Sequence, residues 1–301
     1  MERVHRIELQ YDGTGLHGWA KQKELPTVEG SLEEAFRTVL GHAPSLRVAG
    51  RTDSGVHARR QVVSLSLPAG LDLGKLTYSL NSLTPPGIAI TRIVRARPGF
   101  DARTDAVSRR YRYYLSTLSA APPFWRQFCW DLPGKLDLAL LRAAAGATCG
   151  HHDFTAFTPA VTEHVFFKRT VFTCAWRSAR ADLVAGVRGP SNGAVGTKRY
   201  EGMLYLEIEA DAFLRHMVRS LVGTMVEVAR GQRTIEDFVR LLEGCPREEA
   251  GLTAPAHGLF LWDVKYAPRR SAGEPPAARR RPSISPPAPG RNWAPGPGTW
   301  E

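Results

Sequence analysis

The sequence predicts an α+β fold built as two unequal, sandwich-like halves with mainly antiparallel sheets, and three observations favour this class. First, 301 residues with 43% hydrophobic and 23% charged side chains suit a globular chain of about two domains. Second, strand-like and helix-like patterns follow each other without the regular spacing of a doubly wound sheet. Third, the composition changes abruptly after Pro268, where Pro, Gly, Ala and Arg dominate.

In the first half, apolar residues that alternate with polar ones predict strands near residues 7–11, 63–67, 88–94 and 110–116. Apolar residues at helical spacing predict a helix over residues 28–40, entered through Pro26-Thr27, and a shorter one over residues 76–83 after Asp72.

In the second half, we expect a helix over residues 137–147, strands over 166–177 and 203–209, a helix from Ala212 and another near Thr234. A strand over residues 259–264 closes the fold, and the glycine-rich residues 182–198 are expected to form a loop. We place the boundary between the halves near Val107, giving domains 1–107 and 108–267. The tail, residues 268–301, is too rich in Pro and Arg to bury a core and is expected to be disordered.

Charge points to a polyanionic partner. The chain carries 40 basic and 29 acidic residues, for a net charge of +11. Residues 269–301 hold six Arg and two Glu, which leaves +7 on the remainder, so the folded part is basic in its own right. Such an excess favours nucleic acid, because neutralised phosphates release counterions.

Other classes are disfavoured. The four cysteines form no Cys-x-x-Cys pair, and His151-His152-Asp153 lacks further ligands at suitable spacing, so neither a metal nor a disulfide framework is expected. No apolar stretch approaches the roughly 18 residues that span a bilayer, and the amino terminus has no apolar leader. A cytoplasmic protein is therefore expected.

The most unusual local sequence is Ala49-Gly50-Arg51-Thr52-Asp53-Ser54-Gly55-Val56-His57-Ala58. Two glycines bracket an Arg and an Asp, which predicts a structured loop that presents polar groups. Taken alone, Asp53 is compatible with a turn or helix-capping residue as well as with a functional one. Arg51 and His57, in a basic chain, favour the functional interpretation.

This loop resembles the signature of the bacterial tRNA pseudouridine synthases of the TruA type, with Ser54 where the family usually has Ala. Five further segments are similar to family motifs and follow in the family's order: Tyr11–Trp19, Phe100-Asp101-Ala102-Arg103 with Arg109–Tyr113, Gly150–Phe157, Phe213–Arg219 and Ala254–Leu259. The likeness covers roughly residues 4–267 and implies a pseudouridine synthase fold with a central RNA-binding cleft.

The resemblance implies roles for individual residues. Asp53 corresponds to the essential catalytic carboxylate, which acts as a nucleophile or as a base at the sugar; the sequence leaves both open. Arg219 corresponds to its paired cation and Tyr111 to the aromatic residue that stacks on the extracted uracil and is a candidate acceptor of the C5 proton. Arg51 would help to open the stem or occupy the position that the base vacates, and Leu259 would line the pocket or pack in the core.

The basic residues near these motifs are candidate RNA contacts: Lys21, Lys23, Arg59, Arg60, Arg103, Arg109 and Arg110. The resemblance further implies a homodimer that modifies uridines 38, 39 and 40 of the tRNA anticodon stem-loop without a cofactor. Two alternatives stay open from the sequence, a non-catalytic RNA-binding protein or RNA chaperone that retains the fold, and a synthase with a different RNA target.

Overall fold

Ten strands joined in one sheet form the framework of the protein. A computed structural model describes residues 1–162, 165–179 and 202–267, which belong to one compact unit. The strands are β1 (Glu2–Tyr11), β2 (Arg47–Val48), β3 (His57–Pro68), β4 (Ile88–Arg95), β5 (Ala106–Ser116), β6 (Trp130–Asp131), β7 (Gly150–Asp153), β8 (Lys168–Ser178), β9 (Met203–Ala210) and β10 (Leu259–Tyr266). The helices are α1 (Val28–Leu40), α2 (Leu73–Leu83), α3 (Leu138–Thr148), α4 (Met217–Ala229) and α5 (Ile235–Arg240).

The main path of the sheet runs β4-β1-β3-β10-β5-β9-β8-β7, with β2 beside β3 and β6 beside β5. Neighbours are antiparallel except for the parallel pairs β10–β3 and β5–β6. The α+β class with mainly antiparallel strands is confirmed, and the strands of both expected halves share this one sheet. The expected boundary near Val107 falls inside β5, so the division into domains 1–107 and 108–267 stays a prediction.

Side-chain caps fix where four helices begin. The Thr27 hydroxyl accepts a hydrogen bond from the Gly30 amide, and Asp72, Asp137 and Thr234 accept from amides in the first turns of α2, α3 and α5. Each cap satisfies backbone donors that the helix itself leaves unpaired. These starts agree with those expected from the sequence.

The helix expected from Ala212 begins instead at Met217. The Ala212 amide donates to the Asp211 carboxylate (2.7 Å), and His216 adopts a left-handed conformation with φ of 61°. Residues 212–216 therefore form an irregular connection, and α4 starts only after His216. The loop and the tail expected at residues 182–198 and 268–301 lie outside the described residues.

The helices pack on the face of the sheet that carries Tyr111 and Tyr113. Buried side chains of α1 to α5 join these tyrosines and Leu261 in one large core. The opposite face of β5 and β10 carries a separate small cluster around Tyr114. The two faces of the sheet therefore have different environments, which matters for the placement of the basic residues below.

Candidate active site

Asp53 lies in a loop that connects β2 to β3 and is held against residues 16–19. The Trp19 amide donates to the Thr52 carbonyl (3.0 Å), and the Gly55 amide donates to the Leu16 carbonyl (3.1 Å). Gly18 has φ of 85°, and a Cβ there would stand 2.6 Å from the Thr52 carbonyl oxygen. Only glycine combines this left-handed conformation with so close an approach, so Gly18 allows the two segments to pack together.

A buried hydrogen-bond network connects the Asp53 loop to β1 and β3. The Tyr11 hydroxyl lies 2.7 Å from the Thr52 hydroxyl, and the Gln61 amide donates both to Tyr11 Oη (3.2 Å) and to the Gly50 carbonyl (2.7 Å). Burial raises the pKa of Tyr11 to about 12, so its phenol stays neutral. These bonds fix the backbone on the amino-terminal side of Asp53.

The Asp53 carboxylate faces the first turn of α4. Arg219 Nη1 and His216 Nε2 each lie 3.6 Å from the same oxygen, Oδ2. The Asp53 side chain is 26% exposed. At 3.6 Å both contacts are longer than a hydrogen bond.

His216 also belongs to the surroundings of Asp53. It occupies the position before α4 without a side-chain cap. Burial lowers the pKa of His216, against the opposing effect of Asp53, so the imidazole is neutral at neutral pH. Arg219 is therefore the cation beside Asp53.

Tyr111 and Phe213 form the aromatic side of the site. Their ring centroids lie 4.9 Å apart with an interplanar angle of 78°. Tyr111 projects from β5 and is buried; its burial raises the pKa of the phenol, and the Asp53 charge adds to that rise. The neighbouring strand contributes Leu259, which pairs in register with Tyr113 and is also buried. Arg51 is exposed and lies two residues before Asp53 in the same loop.

Residues 250–258, here called the strap, cross α4 and hold Arg219. Arg219 Nε donates to the Ala254 carbonyl (2.8 Å), and the Ala254 amide donates to the Arg219 carbonyl (3.1 Å). The Tyr113 hydroxyl donates to the Pro255 carbonyl (2.9 Å). The Arg219 guanidinium is thus held through Nε by the strap, while Nη1 lies beside Asp53.

The expected RNA contacts divide into two groups. Lys21, Lys23 and Arg103 are exposed; Lys21 pairs with Glu33 and Lys23 with Glu24, both at the surface. These cations can exchange a surface partner for a phosphate at little cost, because exposed ion pairs are worth at most about 1 kcal/mol.

The second group has internal partners. Arg109 donates hydrogen bonds to the carbonyls of Ala49, Arg103, Ala106 and Asp211. Its guanidinium is therefore occupied by backbone acceptors near the Asp53 loop. Arg110 pairs with Glu209, and Arg60 with Glu8 and Asp263.

The sheet also separates part of this second group from Asp53. Arg110 neighbours Tyr111 along β5, so the two side chains project from opposite faces. Arg59 lies over the Trp262 ring at 4.8 Å. The structure therefore does not bring Arg59, Arg60 and Arg110 together with Asp53, and it gives Arg109 a structural position.

Residues 1–162, 165–179 and 202–267 contain no group of three or more His, Cys, Asp and Glu side chains placed to hold a metal ion. Within the same residues, no helix combines the length and apolar character needed to cross a membrane.

The ten-stranded, mainly antiparallel sheet with its five helices is consistent with the pseudouridine synthase fold. A family model described as tRNA pseudouridine synthase matches residues 144–267. Relatives named tRNA pseudouridine synthase A match most of the chain, including residues before 144. The protein from Geobacter sp. (strain M21) is 35% identical over 87% of this chain and 98% of its own length. Those from Chlorobaculum tepidum and Myxococcus xanthus are 37% and 34% identical over 88% and 89% of this chain, and 98% and 95% of their own lengths. The chain belongs to the tRNA pseudouridine synthase family.

Proposed function

We propose that this protein converts uridine to pseudouridine in tRNA and that Asp53 is its catalytic residue. The observation that carries the proposal is one partly exposed carboxylate, Asp53, with Oδ2 3.6 Å from the Arg219 guanidinium. The name shared by the relatives supports the substrate class.

The reaction is an isomerisation and needs no net oxidant or reductant. The N1–C1′ bond breaks, the base turns, and a C5–C1′ bond forms, while C5 loses a proton and N1 gains one. Asp53 acts at the sugar, where a nucleophile or a base is required. In this proposal the Tyr111 ring stacks on the uracil, Leu259 supplies an apolar wall, and the exposed Arg51 helps to open the stem or occupies the position that the base vacates.

We propose that the target uridines are 38, 39 and 40 in the anticodon stem-loop, and that Arg51, Lys21, Lys23 and Arg103 contact the RNA backbone. We also propose that the enzyme acts on its tRNA substrate in the cytoplasm. Purified protein and a tRNA with uridines at all three positions are incubated, and pseudouridine is mapped along the RNA. We expect product at 38–40 and none when all three are replaced by cytidine. Product elsewhere, or none at all in any tRNA, contradicts the proposal.

We further propose that two copies pair through the sheet face opposite Asp53. Arg112 lies between the rings of Tyr205 (4.8 Å) and Trp262 (3.9 Å), and Phe124 near this cluster is 86% exposed. A groove of about 630 Å³ lined by Phe128, Phe260 and Trp262 continues the surface. Aromatic and arginine side chains of this kind are enriched at protein interfaces.

Sedimentation equilibrium tests the dimer. Phe124→Asp changes an exposed side chain, so the fold should be kept while the pairing surface gains an unpaired charge. We expect wild type to sediment as a dimer and Phe124→Asp as a monomer. The matched control is Tyr78→Asp, which alters a side chain that is 77% exposed on α2. A monomeric wild type, or a Phe124→Asp variant that pairs as tightly, contradicts the proposal.

A further inference from the structure

His57 is a buried histidine that the chemistry described above does not use. It is the first residue of β3, four positions after Asp53, and only 1% exposed. Its ring packs between Phe260 (4.6 Å between centroids) and Phe128 (5.1 Å). A polar ring this deeply buried must have both nitrogens satisfied, so its partners show what it holds in place.

Both ring nitrogens bond to backbone from other segments. The Gly13 amide can only donate, and it lies 2.9 Å from Nδ1, so Nδ1 is the acceptor. Nε2 then carries the proton and donates to the His257 carbonyl (3.1 Å). Asp12 Oδ1, 3.0 Å from Nδ1, accepts a hydrogen bond from the Thr14 amide. Burial lowers the pKa of His57, in agreement with a neutral ring.

The His257 bond joins the Asp53 loop to the strap. Three residues before His257, the Ala254 carbonyl holds Arg219 Nε at 2.8 Å. Asp53 precedes His57 in the same loop, and Gly55 of that loop lies against Ala256, whose Cβ would be 3.3 Å from an added Cβ. The short stretch 254–257 thus contacts one side of the Asp53–Arg219 pair through His57 and the other through Ala254.

We propose that His57 is a positioning residue, which sets the distance between Asp53 and Arg219 by tying the catalytic loop to the strap through the His257 carbonyl. The proposal rests on Asp53 as the catalytic residue. An error of about 1 Å in such a pair can cost roughly 100-fold in rate without any loss of substrate contacts. The tie should therefore affect the chemical step and leave tRNA affinity unchanged.

Two substitutions separate the two bonds of the ring. In His57→Gln the side-chain amide reaches the position of Nε2 and can still donate to His257. In His57→Asn the shorter amide reaches only the position of Nδ1 and can still accept from Gly13. Single-turnover pseudouridine formation and the tRNA dissociation constant are measured for both, with His5→Gln as a matched control because His5 is a 5% exposed histidine whose Nδ1 bonds to the Arg3 carbonyl within β1.

We expect His57→Gln to keep the rate within about threefold and His57→Asn to lose about 10- to 100-fold, with tRNA affinity within threefold for both. In an Arg219→Met background, His57→Asn should cost less than a further twofold, because the pair that it aligns is already broken. Equal rates for the two His57 variants, or a full additional loss in the Arg219→Met background, overturn the proposal. An Asp53→Asn variant measured in parallel separates the two claims: if it is fully active, the catalytic assignment fails whatever the His57 variants do.

Discussion

Gly223→Ala is the substitution that tests how the strap controls Arg219. Gly223 lies one turn after Arg219 on α4, directly beneath the strap. A Cβ at this position would overlap the Leu252 carbonyl oxygen and stand 2.9 Å from its carbonyl carbon. Because carbon and carbonyl oxygen approach each other only to about 3.3–3.6 Å, the strap has to move away from α4 by at least about 1.5 Å.

That movement of the strap lowers the free energy of unfolding. It strains the hydrogen bonds from the Gly251 amide to Thr224 (3.0 Å) and from the Ala254 amide to the Arg219 carbonyl (3.1 Å). Overpacking costs about 1–3 kcal/mol, offset in part by the roughly 1 kcal/mol that Ala gains over Gly in a helix. The Ala254 carbonyl moves with the strap, so Arg219 loses its orientation. We expect a loss of about 10- to 100-fold in single-turnover rate.

The assay compares single-turnover pseudouridine formation, tRNA affinity and urea unfolding for wild type and Gly223→Ala. Gly146→Ala is the matched control, since Gly146 is also helical and a Cβ there meets nothing within 4 Å. We expect the control to gain about 0.5–1 kcal/mol in free energy of unfolding and to keep its rate. A Gly223→Ala variant with the wild-type rate would refute the reasoning, because it would show that the strap does not control Arg219.

Three further predictions concern stability and RNA binding. Arg109→Lys should lower the free energy of unfolding by about 2–4 kcal/mol in urea titrations, because the backbone carbonyls lose a shared guanidinium donor. Below pH 6.5 the free energy of unfolding should fall by up to about 1.4 kcal/mol per pH unit for each of His57 and His216, since burial lowers their pKa and the unfolded chain takes up the protons first. Urea titrations across pH should show a shallower slope for His57→Gln. Arg103→Ala should weaken tRNA binding and reduce its salt dependence by about one counterion in filter-binding titrations.

A specific result would contradict each of these three predictions. Unchanged stability of Arg109→Lys would mean that its carbonyl contacts contribute nothing net. Equal pH slopes for wild type and His57→Gln would remove His57 as a titrating group. An unaltered salt dependence for Arg103→Ala would place the RNA path elsewhere on the surface.

Local chemistry made most of the fold predictable. Asp72, Asp137 and Thr234 mark helix starts because their side chains cap adjacent amides, a signal contained within four residues. The late start of α4 was not predictable, because it depends on the left-handed conformation of His216 and on the Asp211 carboxylate. The two-residue strands β2 and β6 depend on partners far along the chain and leave no periodic pattern.

The family motifs allowed candidate site residues to be predicted from the sequence. Residues whose surroundings depend on long-range contacts could not be interpreted in this way. Arg219 Nη1 lies 3.6 Å from Asp53 Oδ2, and the roles that the resemblance implies for Asp53, Arg219 and Tyr111 stay predictions. In the sequence Arg109 looks like any surface cation, yet its four backbone partners come from three parts of the chain, at residues 49, 103–106 and 211. The bond from His57 to the His257 carbonyl spans 200 residues, and no spacing rule could indicate it.

The most direct test of the central claim is the release of tritium from tRNA labelled at uridine C5, measured for wild type and Asp53→Asn without added cofactor. Asp72→Asn is the matched control, because Asn caps a helix about as well as Asp. We predict release by wild type and by the control, and none by Asp53→Asn, with tRNA affinity of that variant within a few-fold of wild type. Release by Asp53→Asn at the wild-type rate would contradict the account, and tight binding by wild type without any release would instead identify a non-catalytic RNA-binding protein.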